Sequence, residues 1–319
     1  MWRVRAASIR QQRMRSESDG HLAAADWPGL ALRELNPAAL LRTATNRYHP
    51  SVELFLRHAE RVQERTGWNE SFRRSRIERI VAVDGGFALD GEGPFPNVLI
   101  ATGHPGLALP EPYAEDPRTV HAYEPHEYAP QVAIVGAGMA AATEWLNALG
   151  AGSEVVSIRR REPLRRPLNV PRQFFSRRGL APYQALERET RAARLRELAA
   201  PSYPPGSAWD EPIAAAQREG RFRVEHAPNG AAQIICATGF NRGWMHDPLL
   251  AHLVADHDLA THDRWLVLDA DATVPTLTGS GRTLAVSGVA AQWAYPAGDT
   301  IAGAKYVARA FLRRLCRTR

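Results

Sequence analysis

The stretch VAIVGAGMAAATEWLNALGAGSEVVSI, residues 132–158, carries the clearest fold signal in the chain. Its first four residues form a short apolar run, which is typical of a buried parallel strand. The glycine turn Gly136-Ala137-Gly138 follows, then apolar residues at helical spacing, then a second apolar run over 155–158. A strand, a glycine turn, a helix and a second strand within about 30 residues are the parts of a dinucleotide-binding βαβ unit.

The turn has the chemistry that a diphosphate requires. Gly136 permits a tight bend, Gly138 lets a pyrophosphate approach the backbone, and Ala141 lets the helix pack closely against the strand. Met139 lies within this motif, which opens a helix whose N-terminus supplies backbone N–H donors and a partial positive charge to the ligand. The pattern Gly136-x-Gly138-x-x-Ala141 therefore predicts a dinucleotide site, and a glycine-rich packing turn is the alternative.

The residues after the second strand select the dinucleotide. Sites selective for NAD have an acidic residue there, whereas NADP sites favour arginine for the 2′-phosphate. In this chain Arg159 and Arg160 come first, and the first acid is Glu162. The sequence predicts NADP(H) bound by these two arginines, and a solvated basic turn is the alternative.

Eight arginines lie within 159–178, opposed only by Glu162. Such a patch attracts phosphates and is also compatible with nucleic acid. No recognised nucleic-acid-binding module accompanies it, so we predict no nucleic-acid partner. His246, His252, His257 and His262 do not have the spacing of two ligands on one helix face, so we predict no metal site.

The composition is that of a globular chain long enough for two domains. It has 319 residues, 45% hydrophobic and 23% charged, with a net charge of +6. The longest uncharged apolar run, 132–143, is about half of a membrane span, so we predict no integral membrane segment. Cys236 and Cys316 form no Cys-x-x-Cys pair, which argues against a disulfide reductase and favours a reducing, cytoplasmic location.

An internal repeat suggests two related domains. Residues 98–103 and 234–239 are both apolar strands that run into Ala-Thr-Gly, ending at Thr102-Gly103 and Thr238-Gly239. Elsewhere, residues 51–65, 183–200 and 300–314 have helical patterns, and 201–206 has the composition of a rigid turn.

The chain resembles the two-dinucleotide-domain flavoproteins in the order of its motifs. A Gly-x-Gly-x-x-Ala unit lies between two strand–Ala-Thr-Gly segments and is followed by arginines, and a late Gly298-Asp299-Thr300 segment precedes a final helix. The likeness is greatest to the flavin-containing and N-hydroxylating monooxygenases and extends from about Arg13 to Arg314. It implies an α/β fold with two Rossmann-like dinucleotide-binding domains.

The resemblance also implies an arrangement along the chain. An NADP-binding domain over 119–240 would be inserted into an FAD-binding domain formed by 1–118 and 241–319. The two Ala-Thr-Gly turns would mark the domain joints near the cofactors, and Gly298, Asp299 and Thr300 would lie against the flavin. Arg15-Ser16 would lie near the flavin as well. Activity would belong to the cofactors: NADPH reduces FAD, and the reduced flavin uses oxygen to oxygenate a small molecule.

Two features depart from the family pattern. The Phe-x-Gly-x-x-x-His motif keeps only its histidine, His121, since Glu115 and Pro117 occupy the other two positions. The glycine motif that opens the first domain is also missing: the spacing from Gly136 to Gly239, applied to Gly103, places it before residue 1. We therefore expect the first Rossmann-like domain to be incomplete at its N-terminus and its hold on FAD to be weak. A second interpretation is a truncated, non-catalytic NADP-binding protein.

Overall fold

The computed structural model describes residues 7–15, 51–166, 168–279 and 281–317, which fold as two compact units. Ser16 and the region of the expected N-terminal strand–turn–helix lie outside these residues. The first unit takes its described residues from Met1–Asn69, Leu107–Asn169 and Ala200–Phe240. The second unit is formed by Glu70–Gly106, Val170–Ala199 and Asn241–Arg319.

The α-helices are α1 Val52–Arg65, α2 Trp68–Ser71, α3 Glu111–Ala114, α4 Met139–Gly150, α5 Arg177–Gln184, α6 Arg188–Leu198, α7 Ser207–Arg218, α8 Pro248–His257 and α9 Ile301–Arg317. Short 3-10 turns cover Arg172–Phe175, Trp244–His246, Pro275–Leu277 and Gly288–Trp293.

The strands are β1 Ile80–Val83, β2 Gly86–Leu89, β3 Glu92–Phe95, β4 Asn97–Ile100, β5 Thr119–His121, β6 Gln131–Val135, β7 Glu154–Ile158, β8 Leu164–Arg165, β9 Ser202–Tyr203, β10 Phe222–Glu225, β11 Gln233–Cys236, β12 Thr261–His262, β13 Trp265–Leu266 and β14 Thr283–Val286.

A five-stranded parallel sheet organises the first unit, in the order β10-β7-β6-β11-β5. The predicted apolar runs form β6 and β7, and residues 132–135 are buried because both faces of the sheet are covered. Helix α4 crosses from β6 to β7, whereas β11 returns on the other side of β6. The strand order therefore reverses between β6 and β11, which is where ligands bind in open α/β sheets.

Helix α4 is packed into the core of the first unit more deeply than its amphipathic pattern predicts. Trp145 is fully buried, with its ring edge-on to Phe222 and Tyr203 at centroid distances of 5.5 and 5.8 Å. Ile9, from the short described N-terminal segment, joins the same core, and its carbonyl accepts a hydrogen bond of 2.9 Å from the Asn147 side chain.

The second unit contains the antiparallel meander β1-β2-β3, the parallel pair β4-β14 and the short antiparallel pair β12-β13. The dipeptide Asp90-Gly91 turns β2 into β3, and both residues have positive φ, 48° and 88°. A hairpin turn with two left-handed residues matches the twist of its strands, so Asp-Gly was an available sequence signal for this meander.

These units divide the chain differently from the predicted segments 1–118, 119–240 and 241–319. Residues 170–199, expected in the NADP-binding segment, contribute Phe174, Tyr183 and Leu195 to the hydrophobic core of the second unit. The expected helix over 183–200 is wrong in its bounds, since α5 ends at Gln184 and α6 begins at Arg188. The Tyr183 hydroxyl donates to the Trp293 carbonyl at 3.0 Å, so tertiary contacts fix the end of α5.

The helices expected over 51–65 and 300–314 are present as α1 and α9. The segment 201–206 is not only a turn, because it contains β9, which pairs in parallel with β8.

Candidate functional site

The glycine turn lies at the reversal of strand order and has the predicted tight geometry. Gly136 has φ = 139°, and a Cβ there would lie 2.5 Å from the Ala237 carbonyl oxygen at the end of β11. Ala141 is fully buried, and its Cβ is 3.5 Å from the same point. Only glycine at 136 lets the bend pass this close to the neighbouring strand.

The first turn of α4 is open at its N-terminus. Gly138 is the N-cap residue and has no side chain to accept hydrogen bonds from the N–H groups that follow it. Among the described residues, a Cβ at Gly138 would meet Pro201 Cβ alone, at 4.0 Å. Met139, half-buried, begins the helix. Uncapped N–H donors beside open space are the arrangement that binds phosphates.

Arg159 and Arg160 differ in their surroundings. The Arg159 side chain is only 10% exposed, and its guanidinium carbon lies 5.7 Å from the Trp145 ring of α4. Nη2 donates to Glu162 at 2.7 Å, while the buried Nε has no hydrogen-bond partner in the described part of the chain. Arg160 is exposed, and its charge acts on Tyr113, which packs on the other face of the sheet. Burial raises the pKa of Tyr113, and the charge of Arg160 opposes that rise.

More arginines surround β9, directly after the Pro201 that faces Gly138. Arg15 donates to the Ser202 carbonyl and hydroxyl oxygens at 2.8 and 2.7 Å. Arg166 Nε donates to the same hydroxyl at 3.2 Å, and burial lowers the pKa of Arg166. The sequence pattern gave no sign that 164–166 and 201–203 would be neighbours, since two-residue strands carry too little periodicity to detect.

Arg165, from the same arginine run, packs against Tyr203. Its guanidinium carbon lies 4.0 Å from the ring centroid, and it pairs with Asp210. A cation held over an aromatic face and paired with a carboxylate is already well satisfied. Arg159 has the same two kinds of contact, with Glu162 and the Trp145 ring, and differs in that its buried Nε has no hydrogen-bond partner among the described residues.

The two Ala-Thr-Gly turns have one backbone conformation, since Gly103 has φ = 79° and Gly239 has φ = 78°. A Cβ at either glycine would meet nothing within 4 Å. Thr238 donates its hydroxyl hydrogen to the Ala108 carbonyl, whereas Thr102 donates to Asp247 Oδ2 at 2.7 Å. The predicted repeat is thus a repeat of local structure.

The late segment 298–300 forms the entry to α9. A Cβ at Gly298 would lie 2.7 Å from the Gly288 carbonyl oxygen, so the backbone is tightly packed there. The Thr300 hydroxyl accepts from the Gly303 N–H at 3.0 Å and donates to the Ala297 carbonyl at 2.7 Å. Thr300 therefore caps α9 with its side chain, and Asp299 beside it is half-buried.

A cleft in the second unit was not predicted as a site. Its empty volume is about 400 Å³, including space open to solvent. Its walls come from the turn after β4, the start of α8, β13 and the 3-10 turn after β14, and they carry Gly103, Asp247, Arg242 and Arg264. The Asp247-Pro248 dipeptide is a helix-start signal that would have placed the buried acid, since Asp247 Oδ1 accepts from the Leu249 N–H at 3.1 Å.

A buried polar pair in the first unit also escaped the sequence analysis. Glu144 is fully buried and accepts hydrogen bonds from Tyr128 at 2.9 Å and from His126 Nε2 at 3.1 Å. His126 Nδ1 faces the Glu124 carbonyl oxygen at 2.7 Å, so both ring nitrogens face acceptors. Burial lowers the pKa of His126, but the bonds to Glu144 and Glu124 raise it more, and the net shift is upward.

The C-terminal histidines serve the packing of α8. His252 Nδ1 lies 2.9 Å from the Glu78 carbonyl oxygen, and His257 Nε2 lies 3.2 Å from that of Ile80. Within the described ranges, no three histidine, cysteine or acidic side chains are grouped to hold a metal ion. No helix among the described residues is long and apolar enough to cross a membrane. Cys236 is buried, Cys316 is exposed, and both are free.

No protein-family model matches the chain, and no curated protein matches it in sequence. Solved structures match over nearly its whole length. Ornithine hydroxylase PvdA from Pseudomonas aeruginosa aligns with a TM-score of 0.66 at 16% identity, covering 98% of this chain and 88% of that one. Ornithine N-hydroxylase KtzI from Kutzneria sp. 744, in complex with reduced FAD, NADP+ and L-ornithine, aligns at 0.63 and 16%, covering 96% and 88%.

Bacillithiol disulfide reductase Bdr from Bacillus cereus aligns with a TM-score of 0.57 at 12% identity, covering 98% of this chain and 88% of that one. The chain thus has the α/β fold of these solved structures, and the predicted Rossmann-like fold class is confirmed. Oxygenases and a disulfide reductase share this fold, so the fold does not by itself select the reaction.

Proposed function

We propose that the protein is an NADPH-dependent flavoprotein oxidoreductase that uses FAD to oxygenate a small molecule. The observation that carries this proposal is the Gly136–Gly138 turn at the strand-order reversal, where no side chain caps the first turn of α4 and, among the described residues, a Cβ at Gly138 would contact Pro201 alone. The lack of a Cys-x-x-Cys pair argues for oxygenation over disulfide reduction.

The residues of the first unit fit NADP. Gly136, Gly138, Met139 and Ala141 would hold the pyrophosphate through backbone N–H groups. Arg159 and Arg160 remain the predicted 2′-phosphate ligands. Arg159 is favoured as the stronger of the two, because its side chain is nearly buried on the α4 side, where the Trp145 ring lies 5.7 Å from its guanidinium carbon.

The residues of the second unit fit part of an FAD site. Gly103 and Gly288 follow the paired strands β4 and β14, and a Cβ at Gly288 would lie 3.9 Å from Gly103 Cα. Both have positive φ, so a flat surface of backbone is available where the two parallel strands end. Thr102, Gly103, Gly298, Asp299 and Thr300 are the proposed residues beside the flavin, and Thr238 and Gly239 those beside NADP.

The protein's own contribution is binding, orientation and exclusion of water. When bound, NADPH supplies a hydride, and FAD accepts it and activates oxygen. No acid–base pair in the described residues is needed for this. The substrate class is a small molecule, by analogy with the ornithine held in the KtzI complex. The two free, widely separated cysteines favour a cytoplasmic location.

The test begins with absorbance of the purified full chain at the flavin bands, followed by NADPH addition without air. Flavin absorbance that bleaches with NADPH supports the proposal. Protein that stays colourless after incubation with FAD contradicts it. If such protein still binds NADPH by calorimetry without turnover, the non-catalytic NADP-binding interpretation replaces it.

Cofactor selectivity is tested with Arg159→Gln, with the exposed neighbour Arg161→Gln as the matched control. Loss of charge-assisted hydrogen bonds to a phosphate should weaken NADPH by about tenfold or more. NADH, which lacks the 2′-phosphate, should change little, and the Arg161 variant should match the wild type for both. Equal losses for NADPH and NADH would rule out the 2′-phosphate role of Arg159.

A further inference from the structure

Two arginines line the cleft of the second unit without any acidic partner. Arg242 lies just before the 3-10 turn Trp244–His246, and Arg264 directly precedes β13. Both side chains are half-buried. Within the residues that the structure describes, neither guanidinium has a carboxylate within ion-pair distance, which separates them from most arginines around them.

The backbone holds these two arginines together. The Trp244 N–H donates to the Arg264 carbonyl at 3.2 Å. Gly243, between Arg242 and Trp244, has φ = 127°, and a Cβ there would lie 2.9 Å from Arg264 Cβ. A glycine is thus required at the point where the two segments touch, and the convergence of the two charges is built into the chain.

The nearby acids are already engaged. Asp263 pairs with Arg196. Asp247 lies on the cleft wall and accepts hydrogen bonds from two backbone N–H groups of α8 and from the Thr102 hydroxyl. Its carboxylate oxygens therefore already have donors. Among the described residues, the charged groups on the cleft wall or beside it are three cations, Arg242, Arg264 and Arg196, and two anions, Asp247 and Asp263, which leaves a net positive charge.

The energetics of Arg264 support the same conclusion. Burial lowers its pKa most, and the charge of Arg242 lowers it further. Asp263 raises it by less than Arg242 lowers it, and Arg196 adds the smallest lowering. Its guanidinium carbon lies 4.8 Å from the Trp265 ring, which fixes the side chain in place. Arg264 is thus a held, partly desolvated cation that Arg242 repels, and an anion placed between the two removes that cost.

We propose that Arg242 and Arg264 form an oxyanion-binding site in the second-unit cleft. The ligand would present a carboxylate or phosphate group to the two guanidinium forks, which match the geometry of both. Its remaining part would lie against the apolar wall formed by Trp244, Trp265 and Leu250. The two sources of such a group are a small organic acid and a nucleotide phosphate. The cleft shares Gly103 with the proposed flavin site, so the nucleotide source rests on the proposed function, whereas the organic-acid source does not.

The test uses the full chain and three variants: Arg242→Gln, Arg264→Gln and, as the control, Arg309→Gln. Arg309 is an exposed arginine of α9 in the same unit. Thermal unfolding and calorimetry are recorded with sodium benzoate, with inorganic phosphate and with chloride at equal ionic strength. Benzoate probes an organic acid with an apolar part, and phosphate probes the nucleotide group.

We expect benzoate or phosphate, but not chloride, to raise the Tm of the wild type, because a ligand of the folded state stabilises it. Each cleft variant should bind that anion about tenfold or more weakly, and the Arg309 variant should match the wild type. Stronger binding of benzoate identifies an organic acid, and stronger binding of phosphate identifies a nucleotide. Equal Tm shifts with all three salts, or unchanged binding in both cleft variants, would overturn the proposal.

A second measurement covers variants that do not fold. Phenylglyoxal modifies accessible arginines, so on the wild type the better-binding anion should protect Arg242 and Arg264 and leave Arg309 unprotected, as read by mass spectrometry of peptides. Protection of all three arginines, or of none, would overturn the site without any substitution.

Discussion

Gly103 and Gly239 end two turns of the same sequence, Ala-Thr-Gly, and their φ angles are 79° and 78°. The strands before them differ in their neighbours: β11 has a parallel partner on each side, β6 and β5, whereas β4 is paired with β14. The threonine hydroxyls differ as well, since Thr238 donates to a backbone carbonyl and Thr102 to the buried Asp247 carboxylate.

The comparison separates what local sequence determines from what the surroundings determine. Ala-Thr-Gly sets the backbone, because glycine adopts positive φ without strain. The acceptor of the threonine depends on which element packs beside the turn. In the second unit that element is α8, whose N-cap Asp247 gains the Thr102 hydroxyl as a third donor.

The largest loss of stability should come from substitution of Gly136, whose surroundings differ from those of Gly103 and Gly239. Gly136→Ala places a Cβ 2.5 Å from the Ala237 carbonyl oxygen at φ = 139°, so strain and overlap together should cost about 3 kcal/mol or more of stability. Gly103→Ala and Gly239→Ala meet nothing within 4 Å and should each cost about 1–2 kcal/mol. Urea unfolding and hydrogen exchange of peptides over 131–150, 97–106 and 233–240 measure the three. A cost for Gly136→Ala no larger than for the other two would contradict this account of the turn.

Sequence alone was sufficient for the elements whose signals are local. The β6–α4–β7 unit, α1, α9 and the two Ala-Thr-Gly turns all follow from apolar periodicity and glycine position. The fold class followed from the same unit. The Asp90-Gly91 hairpin was also detectable by its turn chemistry, although it was not predicted.

What sequence could not give depends on distant contacts. The end of α5 is fixed by a hydrogen bond from Tyr183 to Trp293, more than a hundred residues away. Burial of Phe174 in the second-unit core assigns 170–199 to that unit. Arg242 and Arg264 carry no shared motif, and only the close approach at Gly243 brings them together. By contrast, successive side chains of a strand point to opposite faces. The different surroundings of Arg159 and Arg160, directly after β7, follow this alternation.

Substitution of the two threonines should cause an intermediate loss of stability. Thr102→Val removes a hydroxyl donor from a carboxylate that is 5% exposed, which should cost about 1.5–3 kcal/mol. Thr238→Val removes a neutral bond to the Ala108 carbonyl and should cost about 1 kcal/mol. The substitutions nearly conserve shape, so packing changes little in either. Urea midpoints of the two variants give the order, and a larger loss for Thr238→Val would show that the acceptor does not decide the cost.

The smallest predicted effect is a change of stability with pH. It follows from a comparison of the buried acids of the two units, Asp247 and Glu144. Asp247 is held by amide and hydroxyl donors that do not titrate near neutral pH, whereas Glu144 is held in part by His126, which does. The folded pKa of His126 is raised above its unfolded value, near 6.5. The folded state therefore retains the proton more strongly, and the ion pair contributes its full stability below the unfolded pKa.

As the pH rises above about 6.5 and through the raised folded pKa of His126, that contribution is lost. Urea midpoints should therefore fall with pH over this interval in the wild type. In His126→Gln, which retains an amide donor toward Glu144 but has no titrating proton, the fall should be shallower. The difference between the two curves cancels the titration of groups that do not contact His126, whose environments the substitution leaves unchanged. Parallel curves for the two proteins would mean that His126 does not stabilise the first unit as a cation, and the donor to Glu144 would then be a neutral imidazole.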